Sequence, residues 1–327
     1  MRKLVLVLLA TALASASIAQ TPKSTKKAKK EPAKRVGSWK QGGVFALNVN
    51  QGGFDNWLPA GDADMSFGLN GFVKLYADKA WAGKKKGKAK NWNNNLDIVQ
   101  AIQNIHDERT DINQFNKLDD RVELLSRYSI AWKNKFNWAF IGNVRTQLYD
   151  TRITSYNGNN EVVSRKRVNG FFAPAVITFS PGIEYKPTSW FSAYVSPLSS
   201  RWIVLSNAPY SIVNGTGQAK PFGVDPQRKV DWQPGGFAQL QLNKELNKAK
   251  TISLTSRLDL YSNYANNPQN VDVFFTNLLN MKVSKWISAS IGLTMIYDDD
   301  IRQFGFERNR AGLQYNHNLN IGLTKKF

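Results

Sequence analysis

The C-terminal stretch Leu313-Gln314-Tyr315-Asn316-His317-Asn318-Leu319-Asn320-Ile321-Gly322-Leu323-Thr324-Lys325-Lys326-Phe327 alternates residue by residue. Its odd positions, apart from His317 and Lys325, are apolar or aromatic, and its even positions are Gln, Asn, Gly, Thr and Lys. Side chains alternate across a strand, so this segment has one largely apolar face and one polar face. A strand of about 9–11 tilted residues crosses a bilayer, and this one is longer and stops on an aromatic residue. The pattern predicts an all-β chain, an antiparallel transmembrane β-barrel in which Phe327 ends the closing strand and serves as its assembly signal.

The opposite end predicts export. Arg2 and Lys3 precede an apolar run from Leu4 to Ala14, and Ser17-Ile18-Ala19 offers a small-residue cleavage site before Gln20. That is the layout of a secretory signal peptide over residues 1–19. No later stretch holds the uninterrupted apolar run of about 18 residues that a spanning helix needs. The chain has no Cys, which excludes disulfides, thiolate metal sites and a lipidated Cys anchor.

The formal charge of +20 is unevenly placed. The signal holds two cations, the segment Lys23–Arg35 seven and the run Lys84–Lys90 five; without them 30 basic residues face 23 acidic ones. Residues 20–41, Ala-, Pro- and Lys-rich, read as a disordered periplasmic tail ahead of a barrel domain at 42–327. Charge confined to two small blocks of an exported chain argues against nucleic acid as a partner.

From Gly43 onward, twelve segments read as strands: Gly43–Asn50, Ala63–Trp81, Asn91–Ile105, Leu118–Lys133, Phe136–Tyr149, Gly170–Lys186, Trp190–Val204, Asp231–Leu246, Thr251–Tyr264, Val271–Ser284, Trp286–Tyr297 and Ala311–Phe327. Connections alternate between short (Asn134–Lys135, Pro187–Ser189, Asn247–Lys250, Lys285) and long (Asp150–Asn169, Leu205–Val230). Short periplasmic turns and longer outer loops produce that parity in an outer-membrane barrel. A soluble β-sandwich is the competing reading, but soluble strands average about 5–6 residues and most of these are longer. Trp81, Trp132, Trp138, Trp190, Trp286 and Tyr297 stand near strand ends, where an interfacial girdle belongs.

Several motifs resemble a known family. Gly42-Gly43-Val44-Phe45-Ala46-Leu47-Asn48-Val49-Asn50-Gln51, then Asn56-Trp57 and Gly61, resembles the opening of the domain-of-unknown-function 3078 family, outer-membrane-type proteins of Bacteroidetes-type bacteria. Asp119-Asp120-Arg121 with Ser126 and Tyr128, Asn143–Gln147, Phe172–Ala175, Gly182–Pro187 and Ser196-Pro197-Leu198 resemble its further blocks. Leu58-Pro59-Ala60 departs from the small residues and Gly pair expected there. The resemblance implies an outer-membrane barrel and no catalytic residue.

Candidate chemistry is sparse. His317 lies on the apolar face of the last strand, where a lipid-cleaving barrel enzyme would need a Ser within reach. Only Ser288 or Ser290 of a neighbouring strand could supply one, so an interfacial His is the plainer reading. His106 beside Asp107 and Glu108 makes a poor metal site. Asp298-Asp299-Asp300 lacks the Gly-spaced order of a Ca²⁺ loop, and Asp62 and Asp64 read as strand-end residues. Gly52-Gly53 and Gly235-Gly236 open no helix, which excludes a phosphate loop. No enzyme, metal or cofactor is expected.

The strongest polar constellation is expected inside the barrel: Arg121, Glu123, Arg127, Arg145, Gln147, Glu184, Arg257 and Asp259 fall on inferred lumen faces. Paired, they would brace the lumen; unpaired, they would line a passage and set ion preference. Arg152, Arg165, Lys166, Arg167, Arg228 and Lys229 are outer-loop cations that either bind lipid phosphates or are simply solvated. Expected partners are outer-membrane lipid, the barrel-assembly machinery and, through the Lys-rich tail, a periplasmic or cell-wall component. The sequence points first to a non-enzymatic envelope scaffold or accessory protein, and second to a narrow channel or transporter for small solutes.

Overall fold

Alternating sequence of this kind hydrogen-bonds its backbone only by pairing on both edges, and the chain does so by closing on itself. The computed structural model describes residues 37–55, 65–82, 88–107, 112–157, 162–206, 224–225, 228–299, 302–304 and 310–327. They fall in the unit Val36–Phe327. The expected signal peptide, nearly all of the tail, the Lys-rich turn at 83–87 and the segment carrying Leu58–Pro59 and Asp62–Asp64 lie outside the described residues.

The strands are β1 (Trp39–Asp55), β2 (Met65–Ala82), β3 (Ala89–Asp107), β4 (Ile112–Lys133), β5 (Phe136–Thr146), β6 (Thr151–Tyr156), β7 (Val162–Asn169), β8 (Ala175–Tyr185), β9 (Phe191–Val204), β10 (Val230–Glu245), β11 (Ile252–Asn263), β12 (Val271–Lys282), β13 (Ile287–Tyr297), β14 (Arg302–Phe304), β15 (Arg310–Ala311) and β16 (Gln314–Lys326). Twelve of them form one closed barrel in the order β1-β16-β13-β12-β11-β10-β9-β8-β5-β4-β3-β2. All of its neighbours pair antiparallel. The twelve-strand antiparallel barrel read from the sequence is the observed fold. Among the described residues no helix is long and apolar enough to cross a membrane, which says nothing of spanning strands.

The seam joins β1 to β16, with Val44 opposite Lys326 and Asp55 opposite Tyr315. Phe327 completes it: its amide donates to the Gly43 carbonyl (3.0 Å), and its own carbonyl accepts from the Gly43 amide (2.9 Å). A Cβ at Gly43 would stand 2.7 Å from the Phe327 ring, so the closing aromatic lies where only glycine leaves room.

Several boundaries differ from the sequence reading, among them the start of β4, at Ile112 rather than Leu118. β1 runs 17 residues and starts at Trp39, inside the segment read as tail, because its first rungs pair with the long β2 (Trp39 opposite Lys79). β5 ends at Thr146 and β8 begins at Ala175, each short of the predicted limit. Side chains explain the break: Asp120 accepts from the Leu148 and Tyr149 amides (2.9 and 2.7 Å), while the Thr146 hydroxyl accepts from the Phe172 amide (3.0 Å). The long connection between them holds the hairpin β6–β7 rather than an unstructured loop, and β14–β15 forms a second small hairpin.

Alternation sorts the wall. Phe45, Leu47, Val49, Phe67, Leu69, Leu124, Phe140, Phe179, Val195, Leu240, Ile291, Leu319 and Ile321 all face outward and are exposed. Exposed apolar surface encircling a fold is the signature of an interaction with lipid rather than water. At the short-turn end, Trp39, Trp92, Trp132, Phe136, Trp138, Tyr185, Trp190 and Trp286 form an exposed aromatic zone. Lysines stand over several of these rings, among them Lys79 over Trp39 (5.5 Å), Lys244 over Trp190 (4.8 Å) and Lys325 over Trp286 (4.8 Å). An amphipathic ring capped by an ammonium suits a headgroup layer.

Candidate functional site: the braced lumen

Polar residues on the inner faces of long strands have no bulk water on every side, so they find one another. Arg127 of β4 donates to Glu184 of β8 (2.7 Å) and to the Gln239 side chain of β10. Gln239 donates in turn to Asp259 of β11 (2.9 Å). Arg257 holds Asp259 through two nitrogens (3.0 and 2.6 Å) and reaches Glu123 of β4 (3.2 Å). Asn143 donates to Glu123 (2.8 Å) and Asn137 to Glu184 (3.2 Å), tying β5 to both ends of the chain. β4 and β11 are separated by β10, β9, β8 and β5 on the shorter way round the wall, so these contacts cross the lumen.

The partners are well covered: Glu184 is 4 % and Glu123 8 % exposed at the side chain. Losing one member of such a buried pair strands the other and costs about 3–5 kcal/mol, whereas the pair itself adds little net stability over an apolar filling. The network therefore specifies which strands lie together more than it stabilises them. A second bridge, Arg201 to Asp272 (2.7 Å), with Arg201 also donating to Gln233 (2.5 Å), links β9 to β12.

A repeated device sits beneath these arginines. Tyr194 donates its hydroxyl to the Ser180 carbonyl (2.5 Å), and its ring lies where a Cβ at Gly182 would be 2.8 Å from that hydroxyl oxygen. Tyr261 donates to the Gln233 carbonyl (2.6 Å) and occupies the same space at Gly235. Arg127 stands over the Tyr194 ring (6.0 Å) and Arg201 over Tyr261 (4.0 Å). Ala139, Ile141 and Tyr194, with Leu125 and Phe237 against them, fill this half of the lumen with apolar bulk. The other half differs. β1, β2, β13 and β16 turn inward Asn48, Asn50, Asn70, Ser290, Asn316 and Asn320 together with Gly68, Gly292 and Gly322, and the same faces carry Lys74 and Lys326.

Of the residues expected in the lumen, the structure brings Glu123, Arg127, Glu184, Arg257 and Asp259 into one network. Arg121 and Arg145 lie beside it, within electrostatic range of Glu123. Gln147 goes elsewhere: beyond the end of β5 it accepts from Lys117 (3.0 Å). Lys117 also donates to Asp120 (3.1 Å), the Tyr149 carbonyl (2.8 Å) and Asn169 (3.3 Å), clasping the base of the β6–β7 connection. The sequence reading missed Lys117, Asp120, Asn137, Asn143, Tyr194 and Gln239. Asp120 and Asn143 had a signal, their places in the Asp119-Asp120-Arg121 and Asn143–Gln147 motifs.

His317 faces outward, its ring 5.4 Å from that of Tyr315 and packed where a Cβ at Gly53 would be 2.5 Å away. Ser288 and Ser290 pair with Gly322 and Asn320 and face inward, so neither reaches it. Asp299 accepts from Asn270 (2.7 Å) and from Tyr297 (3.3 Å). The side chains of His106, Arg152, Arg165, Lys166 and Arg167 lie outside the described residues, and Arg228 and Lys229 are exposed.

Known proteins share the barrel outline at low identity. The NanC porin is 10 % identical, with 85 % of this chain and 99 % of that one covered at a TM-score of 0.37. The translocator domain of the autotransporter NalP from Neisseria meningitidis is 9 % identical, with 90 % of each chain covered and a TM-score of 0.38. An outer membrane channel from Pseudomonas putida F1 is 10 % identical, covering 93 % of this chain and 100 % of its own, at a TM-score of 0.37. Likenesses of this size carry no functional argument, and the barrel stands on its own strand pairing. No curated protein matches. Residues 49–151, which hold the Asp119-Asp120-Arg121 and Asn143–Gln147 blocks but not those after β6, match the family described as Protein of unknown function (DUF3078), the family that the motifs resemble.

Proposed function

We propose that this chain is an integral barrel of the bacterial outer membrane acting as a non-enzymatic scaffold or accessory protein of the envelope. The observation that carries this reading is the continuous chain of hydrogen bonds from Asn137 through Glu184, Arg127, Gln239, Asp259, Arg257 and Glu123 to Asn143. Opposite charges paired across a lumen fill it, whereas a wide pore needs its charges in water. The exposed apolar exterior and the Trp–Lys zone support placement in a bilayer, and the isolation of His317 from any inward Ser supports the absence of lipid hydrolysis. A strain lacking the protein should lose barrier function against detergent and regain it with the wild-type chain. An unchanged barrier in the deletion strain would count against the scaffold.

One set of observations favours a second reading, a narrow passage for small solutes. Lys74 and Asp97 face inward, 3.3 Å apart, yet remain 48 % and 31 % exposed. The inward Leu278, opposite Gly292, is exposed as well. Water therefore reaches the lumen beside the Asn- and Gly-lined wall, next to Glu123, which Asp97 faces in register.

A further inference from the structure

The inner guanidinium groups fall into two kinds. Arg127, Arg201 and Arg257 each spend their donors on a carboxylate. The side chains of Arg121 and Arg145 form no hydrogen bond or ion pair among the described residues, and the Arg121 Nε is buried with no acceptor. Arg145 pairs in register with Glu123, and Arg121 precedes Glu123 by two residues on the same face, so the two arginines are diagonal neighbours. Like charges at that spacing repel, and the Glu123 carboxylate between them is shared with Arg257.

Arg145 reaches from β5 to the ring of Phe274 on β12 (5.2 Å), with four strands between them on the shorter way round. Stacking occupies the face of a guanidinium and leaves its N–H edge free. The neighbouring charges do not use that edge. Glu123 accepts from Arg257 and Asn143, both at Oε1, Asp259 accepts from Arg257 and Gln239, and Asp97, opposite Glu123 on β3, has its Oδ1 buried without a partner. Asp119 lies within electrostatic range of Arg121 but forms no ion pair with it. The buried Arg121 Nε–H without an acceptor is costly, and a planar guanidinium fork matches an oxyanion.

We propose that Arg121 and Arg145 form a lumenal binding site for a small oxyanion, a carboxylate or a phosphate, seated between the two guanidinium edges beside Phe274. The anion accepts hydrogen bonds from both arginines and relieves their repulsion. The site does not require an open pore, and it stands apart from the scaffold reading because binding is measured directly.

The test is calorimetric titration of the purified, heat-modifiable full chain with inorganic phosphate and, separately, acetate at fixed ionic strength. The wild type should bind one of them saturably with one site per barrel. Arg121→Gln or Arg145→Gln should weaken that binding at least tenfold, while Lys135→Gln leaves it unchanged. Tighter phosphate identifies a phosphate site and tighter acetate a carboxylate site. Arg121→Gln, whose side chain holds no partner among the described residues, guards against misfolding of the Arg145 variant. Saturable binding of neither anion, or binding that both arginine variants retain in full, overturns the proposal.

Discussion

Arg257 on β11 lies 3.2 Å from Glu123 on β4, across the barrel rather than along its wall. No local rule of strand pairing produces this contact, which exists only because the sheet closes. Glu123→Gln should leave Arg257 with Asp259 alone and cost about 3 kcal/mol, at the lower end for a broken buried pair. Arg257→Leu should cost more, since it strands Glu123 and Asp259 together. The double variant Glu123→Gln, Arg257→Leu should fall well short of the sum of the single losses. Urea unfolding of the detergent-solubilised barrel measures all three, and strict additivity would mean that the two residues do not act together.

Tyr194 and Gly182 make a sharper test of packing. Tyr194→Phe removes one buried hydroxyl bond and should cost about 1 kcal/mol. Gly182→Val drives new atoms into the Tyr194 ring and the Val195 carbonyl, which a Cβ alone would approach to 2.3 Å. That variant should fail to give a heat-modifiable band, and combining it with Tyr194→Ala should restore some folding only if the ring is the main obstacle.

Asp120 acts locally. Asp120→Ala frees the Leu148 and Tyr149 amides and removes one of the acceptors of the Lys117 ammonium, charge-assisted bonds worth about 1.5–3 kcal/mol each. The connection between β5 and β8 should then become sensitive to protease on intact cells while the barrel stays heat-modifiable. Global unfolding without local cleavage would contradict this assignment.

His317 should be dispensable for chemistry. His317→Ala removes a ring packed over Gly53 and should leave any lipid turnover at the wild-type level. Lipid hydrolysis by the purified wild type that vanishes in this variant would establish the enzyme reading instead.

Removing Phe327 takes away both hydrogen bonds to Gly43 and the ring beside Leu75. Assembly yield in outer membranes should fall sharply, and Phe327→Tyr should preserve it. Equal yields for the truncated and full chains would show that the seam does not need its last residue.

Much of the fold is legible from alternation alone, because a lipid-facing strand must be apolar at every second position wherever it lies. β16, β4 and β11 show this plainly, and their inward residues follow by parity. The end of β5 is not legible, since it depends on an Asp120 carboxylate two strands' length away in sequence. Parity likewise places Arg127, Arg145 and Arg257 indoors without saying which carboxylate each one meets. Those pairings depend on curvature across the lumen, and Gln239 and Tyr194 read as ordinary strand residues until opposite walls are brought together. The β6–β7 hairpin was hidden because its basic, irregular sequence resembles a solvated loop.

The most direct test of the braced lumen is single-channel recording of the purified barrel in planar bilayers, with insertion verified by heat modifiability. The wild type should be silent or show only a small unit conductance, and the variant carrying Glu123→Gln and Arg257→Leu should conduct several-fold more. A large, steady wild-type conductance unchanged in that variant would mean that the ion pairs do not span the open lumen, and the account would fail.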